Sequence, residues 1–322
     1  MAMNEFRALD RREVIERLLA LRAPAVLMHR NPDGDAVGSA VAVVRALRAR
    51  GIAASLLLTE PIPERLAFLA EDVPLYEGTP REIVCVDIAS LAQTGTAAAL
   101  VAAADTVLSI DHHEIGTPFA PAYVESEASS VGEVLYGLLS DGGRVALAPD
   151  IAAPLYAAIA SDTGGFRFRN STPAAHHAAA ALLATGIDGA ELSRRLFDVR
   201  TDGELAAIAA AVTMAEQHYG GRLSVLAVAL SDLRERGLSE HDFDGVIDTV
   251  RSRRGVEIAA LVRERADGTV RLSLRSVGAD VASLCLTFGG GGHKLAAGAT
   301  LPVATVAEGA ALVVRECARY FS

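Results

Sequence analysis

The sequence predicts an α/β protein: an amino-terminal, mostly parallel sheet flanked by helices, followed by a smaller carboxyl-terminal α/β domain. Two observations carry this. Short apolar runs alternate with helix-like segments through the first two hundred residues, the pattern of a parallel sheet with crossover helices. After Gly220-Gly221 the pattern changes to longer strands, two of them joined by the hairpin signal Asp267-Gly268. A chain of 322 residues is long enough for two cores.

Taken in order, Asp10 to Arg22 has helical spacing, Pro24 to Met28 is a buried strand, and Ala36 to Arg50 is a helix ended by Gly51. Ile52 to Leu58 is a second strand and Pro61 opens a short helix through Leu69. Two further strands, Glu82 to Val86 and Thr106 to Ile110, run into Asp87 and Asp111-His112-His113. Ala152 to Ala160 is helical and ends at Asp162-Thr163-Gly164-Gly165; Ser129-Ser130 caps a helix before it. Helices continue through Leu183 and from Gly189 to Val199, and an Ala-rich helix from about Glu204 to Tyr219 serves as a connector. The expected division is therefore 1–199, a helical linker over 200–220, and 221–322. In the last part, Arg222 to Leu230, Val256 to Glu264 and Val270 to Arg275 read as strands, and Phe243 to Val250, Asp280 to Thr287 and Val306 to Tyr320 as helices.

Composition removes several classes of function. No run of about 18 apolar residues occurs, so no membrane span is expected. The amino terminus, Met1 to Arg7 followed by Asp10-Arg11-Arg12-Glu13, lacks the build of a secretory signal, which points to the cytoplasm. Cys85, Cys285 and Cys317 have no paired spacing and read as small core residues. A net charge of −10 argues against a broad surface for duplex nucleic acid, although metal ions and a few arginines can reverse the field around a short anion.

The chemistry concentrates where strands end. His29, Asp33 and Asp35 lie within seven residues after the first strand, with Pro32 and Gly34 shaping a turn. Neutral imidazole and hard carboxylates together suit a divalent cation such as manganese. Asp87, Asp111-His112-His113 and Asp162 should emerge on the same sheet edge, where open α/β folds gather ligands. In the second domain, Gly289-Gly290-Gly291-Gly292-His293 reads as a phosphate nest of consecutive backbone amides. Arg275-Ser276 lies upstream, with a guanidinium that can fork a phosphate. Phe166-Arg167-Phe168-Arg169 offers either a stacking ring and a phosphate contact or packing at the sheet edge, while His176, His177, His218 and His241 read as structural or surface residues.

These motifs, in this order, resemble those of the DHH phosphoesterase superfamily, and Phe288 to His293 with Ala296-Ala297-Gly298 resembles its DHHA1 substrate-binding domain. Over nearly the whole length the chain is similar to the NrnA-type nano-RNases. The resemblance implies two divalent ions, most simply Mn2+ with Mg2+ or Co2+ as substitutes. His29 and Asp33 would hold one, Asp35, His112 and Asp162 the other, and Asp87 would bridge both. His113 would reach the substrate, Asp111 would orient a ligand, and Arg275, the glycine run and His293 would hold the far end of the nucleotide, the two domains closing around it. The implied reaction is hydrolysis of short single-stranded RNA or DNA, of linear dinucleotides, and of 3′-phosphoadenosine 5′-phosphate (pAp) to AMP. A cyclic dinucleotide phosphodiesterase and an inactive nucleotide-binding regulator are the alternatives, and a homodimer is left open. A pyrophosphatase of the related family would lack Gly-Gly-Gly-His.

Overall fold

The structure, a computed structural model, describes residues 7–140 and 145–321. The amino-terminal stretch weighed above as a secretory signal lies largely outside them. The chain divides after Val199 into two compact units, each with its own core.

In the first unit, α1 (Arg11–Ala20) precedes β1 (Ala25–Leu27), α2 (Gly34–Ala49) and β2 (Ser55–Leu57). β3 (Glu82–Val86), α3 (Ala98–Ala103), β4 (Thr106–Asp111) and β5 (Ala122–Val124) follow, then α4 (Val131–Ser140), α5 (Pro149–Asp162), α6 (Pro173–Leu183) and α7 (Gly189–Ser193). The five strands form one parallel sheet in the order β2-β1-β3-β4-β5. Chain order reverses between β1 and β3, so the carboxyl ends of those two strands border the crevice where such sheets bind ligands. β5 was not expected from sequence; three residues are too few for a readable alternation.

Helix ends follow from their side chains. Asp10 and Glu13 close a capping box on α1, contributing about 1 kcal/mol. Asp33 caps α2 by accepting from the amides of Asp35 and Ala36, both at 3.0 Å, which starts that helix two residues before the expected Ala36. α2 is buried almost throughout and packs on α5. Pro154, inside α5, cannot donate to the carbonyl of Asp150. Arg45 of α2 donates to that carbonyl instead, at 2.8 Å, which lets an interior proline stand in a helix.

The second unit begins with α8 (Asp202–Met214) and continues with β6 (Glu216–His218), β7 (Leu223–Val228), α9 (Leu230–Arg236), α10 (Val246–Arg251), β8 (Ile258–Glu264) and β9 (Val270–Ser276). α11 (Val281–Leu286), β10 (Gly291–His293), β11 (Ala296–Leu301) and α12 (Val306–Cys317) complete it. The sheet order is β10-β11-β9-β8-β7-β6, antiparallel except for β7 with β8. The helix expected as a connector ends at Met214, and Glu216–His218 is an edge strand; Ala207, Ala210 and Ala211 of α8 are buried in one of the two cores of this unit. All three cysteines are buried, and burial pushes the Cys85 thiol up to about 12, which leaves it inert.

Candidate metal and phosphate site

Eight side chains from four stretches of the chain meet at the carboxyl edge of the first sheet. Asp87 is the centre. It follows β3 directly, lies almost wholly buried, and holds a left-handed backbone angle of φ 58° that costs a non-glycine residue about 1–3 kcal/mol. Its amide donates to the Ile110 carbonyl at 3.1 Å, and this contact ties the strained turn to β4. The two carboxylate oxygens face different partners. Oδ2 lies 3.5 Å from His29 Nε2, whereas Oδ1 lies 3.7 Å from His112 Nε2 and 3.5 Å from His113 Nδ1. Oδ1 is buried with no hydrogen-bond partner among the described residues.

Around Asp87 stand two groups of ligand atoms. His29 Nε2 is 3.9 Å from Asp33 Oδ1, so His29, Asp33 and Asp87 form the first. Asp35, Asp87 and His112 form the second, with His112 Nε2 3.8 Å from Asp35 Oδ2 and 3.4 Å from Asp162 Oδ2. These separations are too long for good hydrogen bonds. They match donors sharing one cation, which at about 2.1 Å from each would hold them roughly 3–4 Å apart.

The surroundings fix these atoms. His112 Nδ1 lies 3.2 Å from the Ala128 carbonyl, so a proton on Nδ1 leaves the Nε2 lone pair facing the carboxylates. Asp35 is fully buried and accepts from the amides of Val131 (2.7 Å) and Gly132 (2.9 Å) at the start of α4, and from Ser39 Oγ (3.0 Å). Asn170 Nδ2 donates to the carbonyls of Ser129 (3.0 Å) and Asp162 (3.1 Å), joining the approach to α4 with the end of α5. Asp111 Oδ1 accepts from the His112 amide at 2.8 Å and lies 2.7 Å from His113 Nδ1.

Crowded carboxylates perturb one another. Burial first, then the charges of Asp87 and Asp33, raise the Asp35 pKa well above the ordinary range, although the amides of Val131 and Gly132 oppose this. Burial and the charges of Asp35, Asp33 and Asp87 raise Asp162 likewise. Burial also disfavours the Asp87 anion, but the nearby imidazoles of His29, His113 and His112 outweigh this and hold its carboxyl below the usual range. Burial would lower His113; the hydrogen bond to Asp111 and the charge of Asp87 instead lift it to about 9. His29 is raised for the same kind of reason, with Asp87 and Asp33 overcoming burial.

The second unit sets the other expected residues around one loop. Arg275 is half-buried near the end of β9, its Nη1 3.1 Å from the Leu274 carbonyl, and His293 is exposed at the end of β10. The glycine run departs from the expected nest. The amides of Gly289 and Gly290 donate to the carbonyls of Leu286 (3.0 Å) and Cys285 (2.9 Å), capping α11, so those two are committed. Gly290 and Gly292 also allow close packing, since a Cβ would lie 2.1 Å from the Gly298 oxygen and 2.5 Å from the Ala296 oxygen respectively. Gly291 has open space where a Cβ would be. Ser276 is a second departure: it is buried, and its hydroxyl donates to the Ala279 carbonyl at 2.5 Å, where it closes a turn.

Phe166 packs between Tyr156 and His176, with ring centroids 6.1 and 5.1 Å away, whereas Phe168 lies over Gly164 and is partly exposed. Sequence reasoning missed the cradle of Asp35 and the role of Asn170. Ser129-Ser130 marked a helix start, but nothing local shows that its amides receive a carboxylate 96 residues earlier in the chain.

The DHH family model, described as its N-terminal domain, matches residues 25–159, and the DHHA1 domain model matches residues 220–319. The bifunctional oligoribonuclease and PAP phosphatase NrnA of Thermus thermophilus is 32% identical over 297 residues, which cover 90% of this chain and 88% of that protein. The Bacillus subtilis protein of the same name is 28% identical over 290 residues, covering 86% and 89%. Among solved structures, an exopolyphosphatase-related protein from Bacteroides fragilis superposes with a TM-score of 0.86 at 20% identity, covering 96% of this chain and 98% of that one, a likeness of fold. With both units matched in order and a relative this similar along nearly its full length, the chain belongs to the DHH family, in the form that carries a DHHA1 domain.

Proposed function

We propose that this chain is a metal-dependent phosphoesterase that hydrolyses short oligonucleotides and linear dinucleotides to mononucleotides, and pAp to AMP. The observation that carries the reading is Asp87, a buried carboxylate whose two oxygens face two different sets of ligand atoms. The names of the full-length relatives support the substrate class.

His29, Asp33 and Asp87 would hold one divalent ion, and Asp35, Asp87, His112 and Asp162 the other. A set of imidazole and carboxylate donors suits Mn2+, with Mg2+ and Co2+ as substitutes. When bound, a pair of such ions lowers the pKa of water and offsets the charge of the phosphoryl oxygens. The remaining work falls to the chain. His113, kept protonated near neutral pH by Asp111, donates a hydrogen bond to a phosphoryl oxygen or a proton to the leaving oxygen as the P–O bond breaks. Asp111 fixes the ring that does so. Arg275 and His293 bind the phosphate and base at the far end of the nucleotide, with Gly291 leaving room for close approach.

Two measurements test this. Asp87→Ala should lose metal-dependent turnover at every point of a manganese titration; wild-type activity in that variant would overturn the bridging role. A panel of pApA, pGpG, RNAs of about two to five nucleotides, pAp, cyclic di-AMP and pyrophosphate, compared by kcat/KM, should rank the linear substrates and pAp first. Fastest cleavage of cyclic di-AMP would replace this reading with the cyclic dinucleotide one.

A further inference from the structure

One face of the second sheet is covered only in part. Side chains alternate along β9: Val270, Leu272 and Leu274 enter the larger core, and Arg271, Ser273 and Arg275 point the other way. On β8 that second face is covered, because Ala259 and Leu261 pack in the core with α8 and α10, and Arg263 donates to the Glu240 carbonyl and to Asp244. Beyond β9 that face carries Ala296 and Gly298, half-buried, and Thr300, exposed.

Register carries this face to the glycine loop. Arg271 pairs with Thr300, Ser273 with Gly298, and Arg275 with Ala296, while β10 sets Gly291 beside Gly298 and His293 beside Ala296. The floor is therefore made of small residues, with a guanidinium at each end of β9. Arg271 and Arg275 stand four residues apart on one strand, about 13 Å. Arg271 is exposed and its Nη1 donates to Thr300 Oγ1 at 3.1 Å, which steadies the fork over β11. Past Arg271, the hairpin tip carries Asp267, whose carboxylate accepts from the amide and hydroxyl of Thr269 and ends the strip with negative charge.

We infer that this strip is a track for the sugar-phosphate chain of the substrate, in which Arg271 and Thr300 form a second phosphate contact beyond Arg275 and thereby favour oligonucleotides over dinucleotides. A single strand extended along the small-residue floor would set one phosphate on Arg275 and a later one on Arg271, and the charge of Asp267 would discourage further extension. The inference rests on the phosphoesterase reading, since it needs an oligonucleotide as substrate.

The test compares Arg271→Ala, Arg271→Lys and wild type on a dinucleotide and a pentanucleotide RNA. In the Ala variant the ratio of kcat/KM for the longer over the shorter substrate should fall about tenfold, and the log–log salt slope for the pentanucleotide should flatten by about 0.7, the share of one phosphate contact on a single strand. Arg271→Lys should keep the salt slope and recover part of the ratio. An unchanged ratio, or an equal loss on both substrates with an unchanged slope, would overturn the track. Fluorescence anisotropy with the pentanucleotide in EDTA reads the same contact without turnover. If wild type cleaves no oligonucleotide, the phosphoesterase reading fails; the track fails separately if Arg271→Ala and wild type bind the pentanucleotide alike.

Discussion

At the scale of single residues, the pair Asp111 and His113 makes the sharpest prediction. Replacing Asp111 with Asn keeps an oxygen for the His112 amide but removes the charge beside His113 Nδ1. Turnover should fall roughly 10–100-fold with little change in KM, as expected for a group that orients another. The His113 titration, followed by NMR in metal-free protein, should move from about 9 toward its ordinary value. The sign for stability follows from that raised pKa: the protonated, paired imidazole favours the folded state fully below the unfolded pKa of about 6.5, and this is lost as pH rises through about 9. Wild type in EDTA should therefore be more stable than Asp111→Asn in urea at pH 6, and the gap should close by pH 10. The candidate ligands were legible because each follows an apolar strand or closes a helix. Asn170 was not, because its role is to join two carbonyls brought together only by folding.

At the scale of elements, the site depends on how closely α2 and α4 approach α5. A Cβ on Gly38 would lie 2.4 Å from the Pro154 oxygen, and one on Gly132 would lie 2.5 Å from the Ala158 Cβ. Gly38→Ala should cost about 1–3 kcal/mol, read as a lower urea midpoint at unchanged m. Because α2 carries Asp35 and the end of α5 carries Asp162, the same variant should weaken manganese binding, measured by calorimetry. Strands β1 to β4 of the first sheet were readable in sequence because parallel strands buried on both faces are continuous apolar runs, whereas the short, partly exposed β5 was not. β10 was not, since Gly291-Gly292-His293 has no strand propensity and is extended only through pairing with β11. The expected connector failed for a related reason: an Ala-rich helix has no polar face to mark its limits, so its end at Met214 and the edge strand after it were hidden.

At the scale of the whole molecule, the two units have separate cores, and no helix is long and apolar enough to cross a membrane among the described residues. Ion binding should act on the first unit. Hydrogen exchange with and without manganese should show added protection at residues 29–39, 85–88, 109–113 and 128–134, with none over 258–301. At a free ion concentration about 100 times the dissociation constant, the gain in stability should approach about 2.7 kcal/mol. Protection confined to the glycine loop would place the ions elsewhere.

The burial of Asp35 and Asp162 among other carboxylates has a consequence for how the protein responds to acid. Asp35 and Asp162 are raised, so without ions their negative charges disfavour the native state more as pH climbs through their folded values. Protons and metal cations thus relieve the same electrostatic congestion and compete to do so. Mild acidification should displace the ions while leaving the emptied protein better folded than it is at neutral pH in a chelator, so activity would fade before structure, and restoring pH with manganese should bring it back without refolding.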